Sequence, residues 1–294
     1  MRTHPVQTLV TGGFAVAHCE AEDDPARLMA DLRARIAKLE NQIPQLDKAG
    51  RKSQPWTIGV PVIDAHLASG LARYGLHDVA PHTYGDMPAA MGLSLALALR
   101  RMSDPLERRP LLWCRLAREE REYGSLYGHG LETLGMARSR FVTVTLKKPL
   151  AALWVAEEAL KSGALATVIM DVDPKQASLT ATRRLSLAAQ AGKCAGLMVF
   201  TTPNSGATAS HTRWQASASR SQSPPYDKLA PGLPSWNLHL TRARGGRPGS
   251  WTVEWHHASH RFNLVSQFRG GEIHPWTDET EKINSSQVAA LRAG

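Results

Sequence analysis

The chain has 294 residues, 43% of them hydrophobic and 21% charged, and a formal net charge of +9. That length suits one or two domains with a full core, and no apolar run reaches the ~18 residues of a helical membrane span. The three cysteines, Cys19, Cys114 and Cys194, have neither paired nor metal-ligand spacing, which fits reduced thiols in a cytoplasmic protein.

In chain order, residues 1–22 show no periodicity and are predicted to be disordered. Their apolar stretch is broken by Gly12-Gly13 and preceded only by Arg2, so export is not expected. Residues 23–55 form an amphipathic helix and linker. Asp23-Asp24-Pro25 gives a start signal, and Leu28, Leu32, Ile36, Leu39 and Ile43 form one narrow apolar stripe. The stripe suits packing on the chain's own domain or an arm that binds a partner.

From Trp56 to Thr202 strands and helices alternate. Strands are predicted at Gly75–Ala80, Leu111–Leu116, Phe141–Thr145, Leu165–Met170 and Gly196–Thr201. Helices are predicted at Ala89–Met102, Tyr127–Leu134, Leu150–Lys161 and Leu179–Ala191. This pattern points to a mostly parallel α/β sheet with helices on its faces. Residues 203–234 are rich in Ser, Ala, Pro and Gly, with a strand at Arg213–Ala218. Trp236–Arg242 and Trp251–His256 then alternate around the Gly- and Pro-rich turn Ala243–Ser250, which predicts an antiparallel extension over 203–270. The tail, 271–294, is polar and expected to be flexible.

The chemistry centres on Tyr74–Arg101, a strand, loop and helix in the layout of a phosphate-binding loop. The loop has Pro81, Gly85, Asp86, Met87 and Pro88, and no Lys lies between Gly75 and Leu99. Asp86 repels phosphate and Pro88 gives up an amide donor, so the loop is degenerate and neither ATP nor magnesium is expected as a cofactor. Asp171, after the LATVIM run, takes the place of a magnesium-holding acid, or serves the turn there. Glu119 and Glu120 sit where a water-activating acid can lie; with Arg115, Arg118 and Arg121 around them they read better as a solvated ion-pair cluster. His256, His257 and His260 lack the companions of a metal site.

Residues 204–270 carry eight Lys or Arg against two acids, a surface that favours polyanions or acidic partners. Arg242, Arg244 and Arg247, beside Gly245-Gly246, are the candidates for DNA or partner contacts. Trp214, Trp236, Trp251 and Trp255 lie among these arginines and suit core better than base stacking: Trp251, Val253 and Trp255 share one strand face.

Gly59–His82 and Glu158–Asp173 resemble the RecA core, over roughly Trp56 to Thr202. A narrower resemblance is to the ImuA family, RecA-like accessory proteins of SOS mutagenesis. It is carried by GLHDVAP (Gly75–Pro81), LLWCR (Leu111–Arg115), LYGHGLETLGM (Leu126–Met136), LWVAEEAL (Leu153–Leu160), ATRRLSLAAQAG (Ala181–Gly192), TRWQASA (Thr212–Ala218) and RARGGRPGSWTVEW (Arg242–Trp255). The resemblance implies a RecA-like core with a degenerate phosphate loop. It implies a non-catalytic adaptor that links ImuB and an error-prone DnaE-type polymerase in translesion synthesis, with RecA, DNA or a second copy as further contacts. In that alignment Asp171 matches the magnesium-site acid, and the loop lysine and hydroxyl have no counterparts. The alternatives are a weak DNA-stimulated ATPase using Asp171 with Glu119 or Glu120, and a cell-division inhibitor of the SulA type.

Overall fold

A computed structural model describes residues 55–267, apart from 69, 205, 222 and 224–229. The stripe residues Leu28, Leu32, Ile36 and Leu39, and the tail, lie outside the described residues. The chain opens with a short helix α1 (Pro61–Asp64), β1 (Leu76–Pro81) and α2 (Met87–Met102). There follow β2 (Leu111–Leu116), α3 (Ala117–Tyr123), α4 (Gly128–Thr133), β3 (Phe141–Leu146), α5 (Pro149–Lys161), β4 (Thr167–Val172), α6 (Leu179–Ala191) and β5 (Ala195–Phe200). Four more strands close the described chain: β6 (Thr212–Ala218), β7 (Ser235–Ala243), β8 (Gly249–His256) and β9 (Arg261–Gln267).

All nine strands join one sheet in the order β3-β2-β4-β5-β1-β6-β7-β8-β9. Pairing is parallel from β3 through β6 and antiparallel from β6 to β9. The expected extension therefore continues the main sheet, but its first strand, β6, is still parallel to β1.

Every residue of β1, β2, β4 and β5 is buried, as expected of strands covered on both faces. Side chains alternate between two cores. On one face Trp113, Ile169, Leu197, Val199 and Trp214 pack with α2 and with Trp236, Trp251 and Trp255. On the other, Cys114, Val168, Met170, Met198 and Phe200 pack under α5 and α6, through Leu153, Leu160, Leu185 and Ala189. α2 reads MPAAMGLSLALALRRM: Pro in its first turn, good helix formers through its middle, two arginines in its last, each favourable at that position. The ends of α5 and α6 meet so closely that a Cβ on Gly192 would lie 1.9 Å from Leu160 O; glycine is required there.

Several boundaries differ from expectation for physical reasons. β4 starts at Thr167, because that residue faces Leu111 of β2 while Ala195 of β5 flanks it on the other side. Asp171 consequently lies inside β4, not after it. The short helix α3 and the strand β9 were not expected. α3 reads AREEREY and has no apolar period. In β9 only Phe262 is buried among the residues from 261 to 266, so its apolar alternation is weak.

Candidate functional site

The strand–loop–helix junction of the sequence candidates lies at the carboxyl end of β1, along the carboxyl edge of the parallel part of the sheet. Connections after β2 and β4 leave toward opposite faces: α4 packs into the core with α2 and α6 into the other. Such a divergence is where open α/β sheets form ligand crevices. The loop from Pro81 to the start of α2 spans only five residues, 82–86. Pro81 is buried at the end of β1 and Gly85 is exposed. A Cβ on Gly85 would meet only Thr83 Oγ1, at 3.9 Å, so this glycine serves no close backbone approach.

Asp86 fills the centre of the loop. The amide of Thr83 donates to Asp86 Oδ2 at 3.0 Å and the Thr83 hydroxyl to the same oxygen at 2.7 Å. The amide of Ala218, from the end of β6, donates to Oδ1 at 3.1 Å. Two backbone amides and a hydroxyl thus hold the protein's own carboxylate at the head of α2, the place where helix N-termini attract anions. Pro88 supplies no amide there. Tyr84, 54% exposed, sits over this loop with its ring centroid 6.4 Å from that of Tyr123.

Asp171 lies two strands away, across β5, and points into the core under α2. Trp113 Nε1 donates to its Oδ1 and the Leu116 amide to its Oδ2, each at 3.0 Å, and Arg115 Nε stands 3.9 Å off. The side chain is sealed from solvent. Burial, outweighing the donors, pushes its pKa up to about 6. Arg115 is sealed as well, stacked 5.8 Å over the Trp113 ring and donating to Gly124 O at 2.9 Å. The structure does not bring Asp171 together with Asp86.

The ion-pair reading of the glutamates needs a correction. Glu119 is buried, not solvated, and accepts from Arg118 at 2.7 Å. Glu120 accepts instead from Ser125 Oγ at 3.0 Å, and Arg115 belongs with Asp171. In the short α3 only Glu119 turns inward while Arg118, Arg121 and Glu122 stay exposed, which the local run of charges could not reveal.

Arg242 also departs from its expected place at a binding turn. Its Nη2 donates to Thr208 O at 3.1 Å and to Ser210 O. It thereby pins the loop that closes over Asp78, a fully buried acid in β1. Thr208 Oγ1 donates to Asp78 at 2.5 Å and Arg213 Nε at 3.1 Å; burial raises the pKa of Asp78. This network was missed by the sequence reading, although an acid inside the apolar strand LHDVAP was a legible signal. Arg244 and Arg247 remain exposed. Their turn is tied down by backbone bonds, Arg244 N to His211 O at 2.8 Å and Arg247 N to His66 O at 3.0 Å.

Beside Asp78, His77 is held by Thr212 Oγ1 at 2.7 Å and Ala72 O at 2.9 Å, and burial lowers its pKa to about 3. Trp214, Trp236, Trp251 and Trp255 are all buried in the core, so none offers a ring for base stacking. His260 stacks on Trp255 at 6.1 Å. Among the described residues no three His, Cys, Asp or Glu side chains gather as a metal site, and no described helix is long and apolar enough to cross a membrane. A cleft of about 420 Å³ runs along α2, between Gly92, Leu95 and Leu99 and the side chains of Leu134, Trp236 and Trp255.

Fold and site define a mixed α/β protein whose strand–loop–helix junction is filled by its own carboxylate. No protein-family model matches the chain. The ImuA proteins of two Caulobacter vibrioides strains, NA1000 and CB 15, are each 29% identical over 231 residues, covering 74% of this chain and 91% of the relative. Over that span the chain is similar to the ImuA proteins. Among solved structures, SulA from Pseudomonas aeruginosa is 27% identical and covers 42% of this chain and 95% of its own, at a TM-score of 0.34.

Proposed function

We propose that the chain acts in the SOS response to DNA damage as a non-catalytic adaptor of mutagenic translesion synthesis. It would join ImuB and an error-prone DnaE-type polymerase, using a RecA-like core as a docking platform rather than as an ATPase. Similarity to the ImuA proteins supports the context. The observation that carries the non-catalytic part is the Asp86 carboxylate, which takes the amides of Thr83 and Ala218 at the head of α2. A bound phosphate would have to displace an anion that is covalently part of the loop and satisfied by three donors. Like charges in that space repel by several kcal/mol at short range and low effective dielectric. The sealed position of Asp171 supports the same reading, because a magnesium-holding acid must reach solvent-borne ligand.

Equilibrium binding of labelled ATP with magnesium, with and without single-stranded DNA, tests this reading. No saturable binding is expected at millimolar nucleotide. Saturable binding that disappears in Asp171→Ala would replace the adaptor reading with that of an ATPase. Co-purification with ImuB tests the partner.

A further inference from the structure

The outer surface of α5 and α6 carries a feature that the fold does not use. α5 buries Ala152, Leu153, Ala156 and Leu160 against the sheet. It also carries a second apolar stripe, Leu150 and Trp154, one turn apart and 68% and 63% exposed. α6 also carries two exposed leucines, Leu179 and Leu187, 56% and 57% exposed. A helix with one buried face normally turns charged residues outward. The two helices lie side by side, joined by Arg184 Nη2 to Glu157 Oε2 at 2.7 Å. The exposed apolar residues of both helices therefore lie on the outer face of one helical layer.

The surroundings of these apolar residues are basic. Lys147 and Lys148 precede α5, Lys175 precedes α6, and Arg183 stands between Leu179 and Leu187 in α6. All four are exposed, and among the described residues none has a carboxylate partner. The carboxylates nearby, Glu157 and Glu158, are engaged by Lys161 at 2.9 and 3.1 Å and, for Glu157, by Arg184.

We propose that the α5–α6 surface is a docking site for an amphipathic helix with acidic flanks, presented by a partner protein. Exposed apolar residues on two adjacent helices offer a face on which the apolar side of such a helix can lie. An exposed Trp is the side chain most often found as a binding hot spot, and the unpaired lysines and Arg183 select a partner of opposite charge. A second copy of this chain would bring the same cations face to face. A nucleic acid would leave the leucines in water. The inference deepens the adaptor reading and rests on it, by naming the surface through which a partner protein is held.

The test is fluorescence anisotropy of the full chain with two labelled 21-residue helical peptides that share a leucine face, one flanked by glutamates and one by lysines. The glutamate peptide is expected to bind saturably, and the lysine peptide at least tenfold more weakly. Binding should fall at least tenfold in Trp154→Glu/Leu187→Glu. The triple reversal Lys147→Glu/Lys148→Glu/Arg183→Glu should invert the preference. Circular dichroism should show every variant folded, since all the changed side chains are exposed. Absence of binding, equal binding of both peptides, or variants that bind like wild type would overturn the proposal. So would binding of a single-stranded oligonucleotide that is lost in Trp154→Glu, or dimerisation lost in the same variant. An ImuB complex measured separately keeps the two ideas apart. No complex sinks the adaptor reading while the peptide result stands. A complex untouched by Trp154→Glu/Leu187→Glu keeps the adaptor and removes this surface.

Discussion

The two helical layers of the sheet are built differently. In α2 twelve of sixteen residues are buried; in α5 and in α6 it is five of thirteen. α2 is enclosed because Trp236 and Leu134 reach around it from the flanking segments, so its apolar residues are spent on this chain's own core. α5 and α6 are covered on one side only, yet they too carry large apolar residues on the other. A layer enclosed on one side that still carries large apolar residues on the other is the layer with a surface to offer. The candidate nucleotide site lies on the enclosed side, where acids have become structural. The proposed docking surface accordingly lies on the helices of the opposite face, away from the sheet edge.

The largest effect that would sharpen this contrast comes from the enclosed side. Trp214 is fully buried, and its Nε1 donates to Thr212 Oγ1 at 2.9 Å. Trp214→Ala should cost about 3–5 kcal/mol of stability, read as a lower midpoint in urea with an unchanged slope. A loss below about 1 kcal/mol would mean that this layer is not the packed one.

Next come the buried titratable groups of the same layer, whose signs oppose each other. Asp171 has its folded pKa raised from the ordinary 3.8 to about 6. Its contribution to stability is therefore full below about pH 4 and is lost as pH rises through about 6. His77 has its folded pKa lowered from 6.5 to about 3. Its contribution is full above about pH 6.5 and is lost as pH falls below that. Asp171→Asn should gain up to about 3 kcal/mol on wild type between pH 4 and pH 7, at ~1.4 kcal/mol per pKa unit. His77→Gln should instead recover about 2 kcal/mol relative to wild type between pH 7 and pH 5. Unfolding by urea at a series of pH values checks both. Parallel curves for wild type and both variants would show that neither group is sealed.

Much of the fold was legible in the sequence. β2 and α6 fall on their expected bounds, because a continuous apolar run between turns and a helix-period pattern between Ser178 and Gly192 leave little freedom. That Asp86 and Pro88 stand in the strand–loop–helix junction was legible too. What Asp86 does there was not: its third donor is Ala218 N, 132 residues away in sequence. The same holds for Asp171. Its local sequence suits the end of a strand, but the register with β2 and β5 draws it inside. Arg242 reads as part of a basic turn by sequence, but in the structure it ends β7 and its side chain bonds back to Thr208 and Ser210. In each case the neighbours that decide a charge's role come from distant strands, and periodicity carries no information about them. The outer stripes of α5 and α6 were visible as residues. Their exposure depends on what covers the helices, which one chain's pattern does not encode.

The smallest effect is expected on the open layer. Trp154 makes no hydrogen bond or ring contact among the described residues, and more than half of its surface is in water. Trp154→Ser should change stability by no more than about 0.5 kcal/mol, as for ordinary surface positions. That is at most about a sixth of the smallest loss expected at Trp214, although the same residue type is removed. The comparison breaks if Trp154→Ser destabilises by 2 kcal/mol or more, because Trp154 would then be part of the protein's own packing. If the change is small, the sequence holds a Trp at a site where the isolated fold gains almost nothing from it. Its energy is then available only to whatever covers α5 and α6.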